Sequence, residues 1–297
     1  MAEWHQAKKE MLLALYRYQV MSPRQLALLL GYERTSIHRV ASPLQRQEWI
    51  SSLQLPFLMG NSKGYVLNHA GAKAAAYWYG EAEKFTFRAW ENMPAQLDHS
   101  YGTNEFFIRL LECNLQCPNE GWTEWMGTRD AAERYANFDA KGKKKLLLKP
   151  DGVGTYQFAN GERLIVHLEY DTGSESLWRL QEKMWNYGSV LPDVWPQAEK
   201  VNVLILTRGE GRVENMMRLW DSLRQGPLAD QSCPSIWCAC EEQFYAQENE
   251  CLWLGEANRS ATWRQMPRML ALQQKRPMFL GKQRRVDLFG RMKSRME

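Results

Sequence analysis

The chain has 297 residues, a net charge of +4, 44% apolar and 12% aromatic residues and 13 tryptophans, enough to build packed cores and too much for wholesale disorder. Its length exceeds the usual single domain, so two domains are expected. No apolar run approaches the roughly 20 residues that span a bilayer, and Met1-Ala2-Glu3-Trp4-His5 lacks the basic-then-apolar start of a secretory signal, so a cytoplasmic protein with no membrane partner is expected.

In chain order, residues 5–21 place Met11, Leu12, Leu15 and Tyr16 at helical spacing. Ser22-Pro23-Arg24 then reads as a capping serine followed by a first-turn proline, opening a short helix through Leu26 and Leu28–Leu30. Gly31 suits the left-handed turn that ends it. The next helix buries Ile37, Val40 and Leu44 and leaves Arg34, Thr35, Ser36, His38 and Arg39 facing outward. Residues 49–53 and 65–67 read as strands joined by a turn around Gly60–Gly64, and an alanine-rich helix follows through Trp78. Three helices, a hairpin and a fourth helix is the order of a winged helix-turn-helix. A reading helix in the major groove would use Arg34, Thr35, Ser36, His38 and Arg39, with Arg24 and Lys63 on phosphates.

Residues 81–98, broken at Asn92-Met93-Pro94, read as a connector between a first domain over 1–80 and a second over 99–270. The second opens with a helix over Ser100–Cys113, then a strand at Trp122–Met126, a short charged helix at Arg129–Tyr135 and a polar loop at 141–145. Strands at Val153–Phe158 and Arg163–Asp171 flank Asn160-Gly161, a strong hairpin signal. A helix is expected from Thr172 to about Gly188, opened by a Thr172–Glu175 capping box. A strand at Val201–Leu206, a helix at Gly211–Leu223 and a strand at Ile236–Ala239 complete an α/β domain around a mixed sheet. Residues 271–297 form a basic tail carrying Lys275, Arg276, Lys282, Arg284, Arg285, Arg291, Lys293 and Arg295, with Phe279 and Phe289 able to dock. The first 80 residues carry +5, the tail +6 and the stretch between them −7. That pattern fits phosphate contacts at the ends and carboxylate chemistry between them. The six cysteines contain no C-x2-C pair, so reduced thiols are expected rather than a zinc cage.

Strand alternation puts Ile165, His167, Glu169 and Asp171 on one face, and the hairpin returns Asp151 beside the far end of that strand. Asp151, Glu169 and Asp171 could therefore converge and hold Mg2+ or Mn2+, which prefer hard oxygen ligands. On the following helix Lys183 lies about 80° from the centre of the apolar stripe, where its stem can carry an ammonium toward the carboxylates. Gln181 offers a second group from that helix, His167 shares the carboxylate face and Glu105 is a further acid for the cluster.

Residues 1–80 resemble the winged helix-turn-helix superfamily. Pro150-Asp151 followed by Glu169-x-Asp171 resembles the PD-(D/E)xK nuclease superfamily, whose two acids bind a divalent metal and whose lysine positions the attacking water. Asp171 stands where that lysine is expected; some members carry it on the next helix, which makes Lys183 the counterpart. The winged helix joined to KPDGVG at 149–154 and LEYDTGSESLWRLQEKMWNY at 168–187 resembles the replication-relaxation family of plasmids and mobile elements. The resemblance implies double-stranded DNA as partner, a role in replication or DNA relaxation, and replication or mobilisation proteins as further partners. Two readings stay open: a metal-dependent endonuclease or nickase, and a non-catalytic DNA-binding regulator or replication accessory protein with an inactive nuclease fold. By analogy with winged-helix proteins a homodimer is also expected.

Overall fold

The computed structural model describes residues 2–55, 63–87, 94–115, 117, 119–138 and 143–270. The hairpin turn at 60–62 and the basic tail fall outside them. The chain divides into two compact units, one ending at Ile108 and the other beginning at Arg109.

In the first unit, α1 (Ala2–Tyr18), α2 (Pro23–Leu30) and α3 (Arg34–Arg46) precede an antiparallel pair, β1 (Ile50–Gln54) and β2 (Lys63–Leu67), and then α4 (His69–Tyr79). The local chemistry is that of the expected elements. Ser22 caps α2 by accepting from the Gln25 amide at 3.2 Å, while the Gln25 side chain accepts from the Ser22 amide at 3.0 Å, a reciprocal box that satisfies two otherwise orphan donors. Gly31 ends α2 at φ 66°, ψ 34°, the left-handed conformation that costs glycine least. Met21 exchanges backbone hydrogen bonds with Tyr65 and so adds a third short strand to the hairpin. Gly71 lets α4 approach the base of the hairpin, since a Cβ there would lie 2.2 Å from the Trp49 carbonyl oxygen. The long helix α5 (Pro94–Cys113) starts in this unit. Its Asn104 amide donates to the carbonyls of Tyr18 and Val20 at 2.8 and 2.9 Å, and Leu97 and Tyr101 pack with Val20, Leu55 and Val66.

The second unit continues with β3 (Gly121–Gly127), α6 (Thr128–Arg134), the small hairpin β4 (Ala136–Phe138) and β5 (Lys144–Leu146), β6 (Gly152–Gln157), β7 (Arg163–Asp171) and α7 (Leu177–Val194). It closes with β8 (Val201–Thr207), α8 (Glu210–Gln225), β9 (Ser235–Cys240), α9 (Glu241–Gln247), β10 (Trp253–Gly255) and β11 (Ser260–Ala261). Seven strands form one mixed sheet in the order β11-β10-β9-β8-β7-β6-β3. The pairs β7–β8 and β8–β9 are parallel and the others antiparallel. Helices α7 and α8 cover one face, where Leu180, Met184, Leu191, Met216 and Trp220 pack on Ile165, Val203, Ile205 and Cys238. The fold is therefore mixed α/β, as expected from the alternation of apolar strands and amphipathic helices.

Several features depart from expectation, among them helix α5, which begins at Pro94 inside the stretch read as a connector and ahead of the expected start at Ser100. The stretch read as a polar loop contributes β5, which pairs with β4. Two short edge strands, β10 and β11, extend the sheet beyond β9. Helix α7 begins five residues after Thr172, capped by Ser176, whose hydroxyl accepts from the Arg179 amide at 3.4 Å. The expected Thr172–Glu175 box does not open this helix, because Gly173 turns at φ 83° and Arg212 holds the Glu175 carbonyl at 2.6 Å. All six cysteines are free. Among the described residues no helix is long and apolar enough to cross a membrane.

Candidate functional site

Antiparallel register sets the second unit's acidic cluster. Gly152 pairs with Leu168, so Asp151, just before β6, lies beside residues 168–170 of β7, near enough to Glu169 for the two charges to repel. Asp151 is buried; its Oδ2 accepts from the Tyr170 amide at 2.9 Å, and its own amide donates to the Leu168 carbonyl at 3.0 Å. Glu169, also buried, accepts from the Lys183 ammonium at 3.1 Å on Oε2 and from the Tyr187 hydroxyl at 2.5 Å on Oε1. Lys183 reaches Glu175 as well, at 2.9 Å. Two successive turns of α7 thus place a cation and a hydroxyl on one carboxylate, since residues four apart share a helix face.

Electrostatics follow from that crowding. Burial and the adjacent Asp151 charge push Glu169 above the usual carboxylate range, against the opposing pull of Lys183 and Tyr187. Burial works against the Lys183 charge, but Glu169, Asp151 and Glu175 outweigh it and hold the ammonium above its ordinary value. Lys183 is therefore a firmly protonated donor. His167, two residues before Glu169 on the same face, is fully buried and lowered to about 3, first by desolvation and then by the charge of Arg134. It hydrogen-bonds the Tyr135 hydroxyl through Nε2. It packs as a neutral ring.

Asp171 points from the same face into a different set of partners. Its carboxylate takes both Nε and an Nη of Arg212, the Thr207 hydroxyl at 2.6 Å and the Gly173 amide at 3.1 Å. The expected convergence of Asp151, Glu169 and Asp171 is corrected accordingly: Asp171 is spent on the start of α8. Among the described residues, no three His, Cys, Asp or Glu side chains are grouped to hold a metal ion. What remains is a neighbouring pair, Asp151 and Glu169, with Lys183 on its rim. Two buried carboxylates in like-charge repulsion are hard oxygen donors of the kind Mg2+ and Mn2+ take, with water filling the other positions. Gln181 is half-buried on α7.

In the first unit, Arg34, Thr35, His38 and Arg39 are exposed along α3 and Ser36 is half-buried, opposite the buried Ile37, Val40, Ala41 and Leu44. His38 also touches Tyr65 of β2, Nδ1 to hydroxyl 3.2 Å, and Lys63 is exposed where β2 begins. Arg24 has an internal partner, pairing at 2.9 Å with the buried Glu105, which also accepts from Gln25 at 2.9 Å and Tyr101 at 3.3 Å. Glu105 is thereby committed to α2, having been considered for the acidic cluster.

Tyr187, Glu175 and Arg212 were not singled out as site residues by sequence reasoning. Tyr187 carried a usable signal, four residues after Lys183. Arg212 sits in the first turn of the helix following β8, whose Thr207 pairs with Asp171; the parallel order of β7 and β8 was needed to see it.

A family model described as replication-relaxation matches residues 12–204, more than half of the chain. No curated protein and no solved structure matches.

Proposed function

The chain belongs to the replication-relaxation family, and from that premise we propose that it binds duplex DNA through α3 and cleaves a phosphodiester bond at Asp151, Glu169 and Lys183 with a divalent cation. The first unit is read as a winged helix-turn-helix and the second as a PD-(D/E)xK-like nuclease fold. The setting is replication or relaxation of plasmid or mobile-element DNA. The observation that carries the reading is the ammonium of Lys183 held 3.1 Å from Glu169, with the Asp151 carboxylate beside it on the neighbouring Tyr170 amide. These are two acids and a lysine from three separate elements.

Asp151 and Glu169 would hold Mg2+ or Mn2+, which when bound would supply Lewis-acid polarisation of a phosphoryl oxygen and a more acidic water. Lys183 does the rest of the electrostatic work. Kept charged by its carboxylate neighbours, it acts as a hydrogen-bond donor to the attacking water or to phosphate oxygens, and not as a general base. Tyr187 fixes the Glu169 carboxylate by occupying Oε1. Asp171 and Arg212 stiffen the junction between β7 and α8 and touch no reacting atom. On α3, Arg34 and Arg39 are placed for bases or phosphates, with Thr35, Ser36 and His38 beside them and Lys63 at the hairpin for the backbone.

A DNA-binding scaffold without hydrolysis is the second reading. It is favoured by the commitment of Asp171 to Arg212 and by the absence, among the described residues, of a three-donor group. Covalently closed plasmid incubated with Mg2+ or Mn2+ separates the two. Wild type is expected to convert it to open circles, and Asp151→Ala and Glu169→Ala each to abolish conversion. Plasmid left closed under both metals, beside intact DNA binding, would select the scaffold.

A further inference from the structure

Helix α7 turns a second face to solvent that the acidic cluster does not use. Trp178 is 69% exposed and Trp185 38% exposed. Seven residues apart, they lie within about 20° of each other around the helix and about 10 Å apart along it. That is the rise of about three stacked nucleotides in one DNA strand. Tryptophan is ordinarily among the more buried residues, and among the described residues Trp178 leaves most of its surface, and Trp185 over a third, open to solvent. Their neighbours on the helix sort by charge. Going round the helix from Trp178 toward the acidic cluster, Glu182 comes at about 40°, Arg179 at about 100° and Lys183 at about 140°. A phosphate chain is repelled by the Glu182 carboxylate and attracted to the cations beyond it, the second of which already touches Glu169.

We propose that Trp178 and Trp185 stack on the bases of an unpaired DNA strand whose backbone runs along Arg179 and Lys183 to Asp151 and Glu169, so that the cleaved substrate is single-stranded or locally melted DNA. Aromatic platforms beside a cationic track are how sequence-tolerant single-strand binders work, because every base offers a π-face while a paired duplex does not expose one. The inference rests on the cluster being a phosphodiester site and adds the class of strand it receives.

The test is fluorescence anisotropy with a labelled 20-nucleotide single strand and the matching duplex, using the full chain and the variants Trp178→Ala, Trp185→Ala, the double variant and Trp178→Phe. Each alanine is expected to weaken single-strand binding about 5-fold or more, and the pair about 30-fold or more. Phenylalanine should restore most of the loss, and duplex affinity should stay within about 2-fold. Thermal melts of these surface variants report whether the fold is kept. Unchanged single-strand affinity in the folded double variant overturns the inference, as does a change in sedimentation mass without a change in DNA affinity, which would make the face a contact between copies of the chain. If wild type binds duplex but no single strand, the stacking platform fails while α3 stands. If wild type binds neither, the underlying DNA reading fails too.

Discussion

At the scale of residues, three side chains on one face of β7 have three different environments. Glu169 is crowded by a like charge, His167 is a fully buried neutral ring, and Asp171 is saturated by Arg212. Asp171 and His167 each make a separate prediction. Asp171→Asn strips the carboxylate from a mostly buried ion pair and should lower unfolding free energy by about 3–5 kcal/mol. Chemical denaturation measures it, and a variant as stable as wild type would show the Arg212 contact to be idle. For His167 the folded-state value of about 3 lies below the unfolded value near 6.5. The unfolded chain therefore binds a proton that the folded chain refuses. The stability present above about pH 6.5 is lost as pH falls toward 3, at up to about 1.4 kcal/mol per unit. Denaturation midpoints of wild type should accordingly drop more steeply between pH 7 and pH 5 than those of His167→Gln. Parallel curves for the two proteins would mean that this ring is not the one refusing the proton.

Among the elements, α3 and α7 show what local sequence can and cannot reveal. The buried and outward faces of α3 were legible because the proline-led helix before it, Gly31 and a clean apolar stripe at 37, 40 and 44 all act within a few residues. Helix α7 was legible only in its middle. Its start was misread because Thr172 and Glu175 satisfy the local capping pattern, whereas Asp171 and Arg212 hold that stretch in a turn. It was expected to end near Gly188 and runs further. The glycine is a close approach, where a Cβ would lie 2.5 Å from a methyl of Leu228, and the helix runs on through Pro192 to Val194. Partners brought by tertiary structure, which no window of sequence contains, decide both ends. Arg39, exposed near the middle of α3, belongs to the legible part. Arg39→Ala should weaken duplex binding and reduce the salt slope of log affinity by about 1 in a salt-titrated mobility shift. A slope and affinity equal to wild type would remove α3 as the DNA-reading element.

For the whole molecule, alternating apolar strands and amphipathic helices were enough to read a mixed α/β second half, and pairing across Asn160-Gly161 was enough to bring Asp151 to Glu169. The sequence could not reveal that the third acid belongs to another helix, since that depends on β7 and β8 lying parallel with Asp171 beside Thr207. Two carboxylates and a lysine are accordingly the groups proposed to act on the phosphodiester bond. Titration of the full chain with Mn2+ by calorimetry tests that proposal without requiring the right DNA. One Mn2+ per chain is predicted for wild type and for Arg39→Ala, with binding lost in Asp151→Asn and in Glu169→Gln. No Mn2+ bound by wild type, or binding that persists in both carboxylate variants, would contradict it.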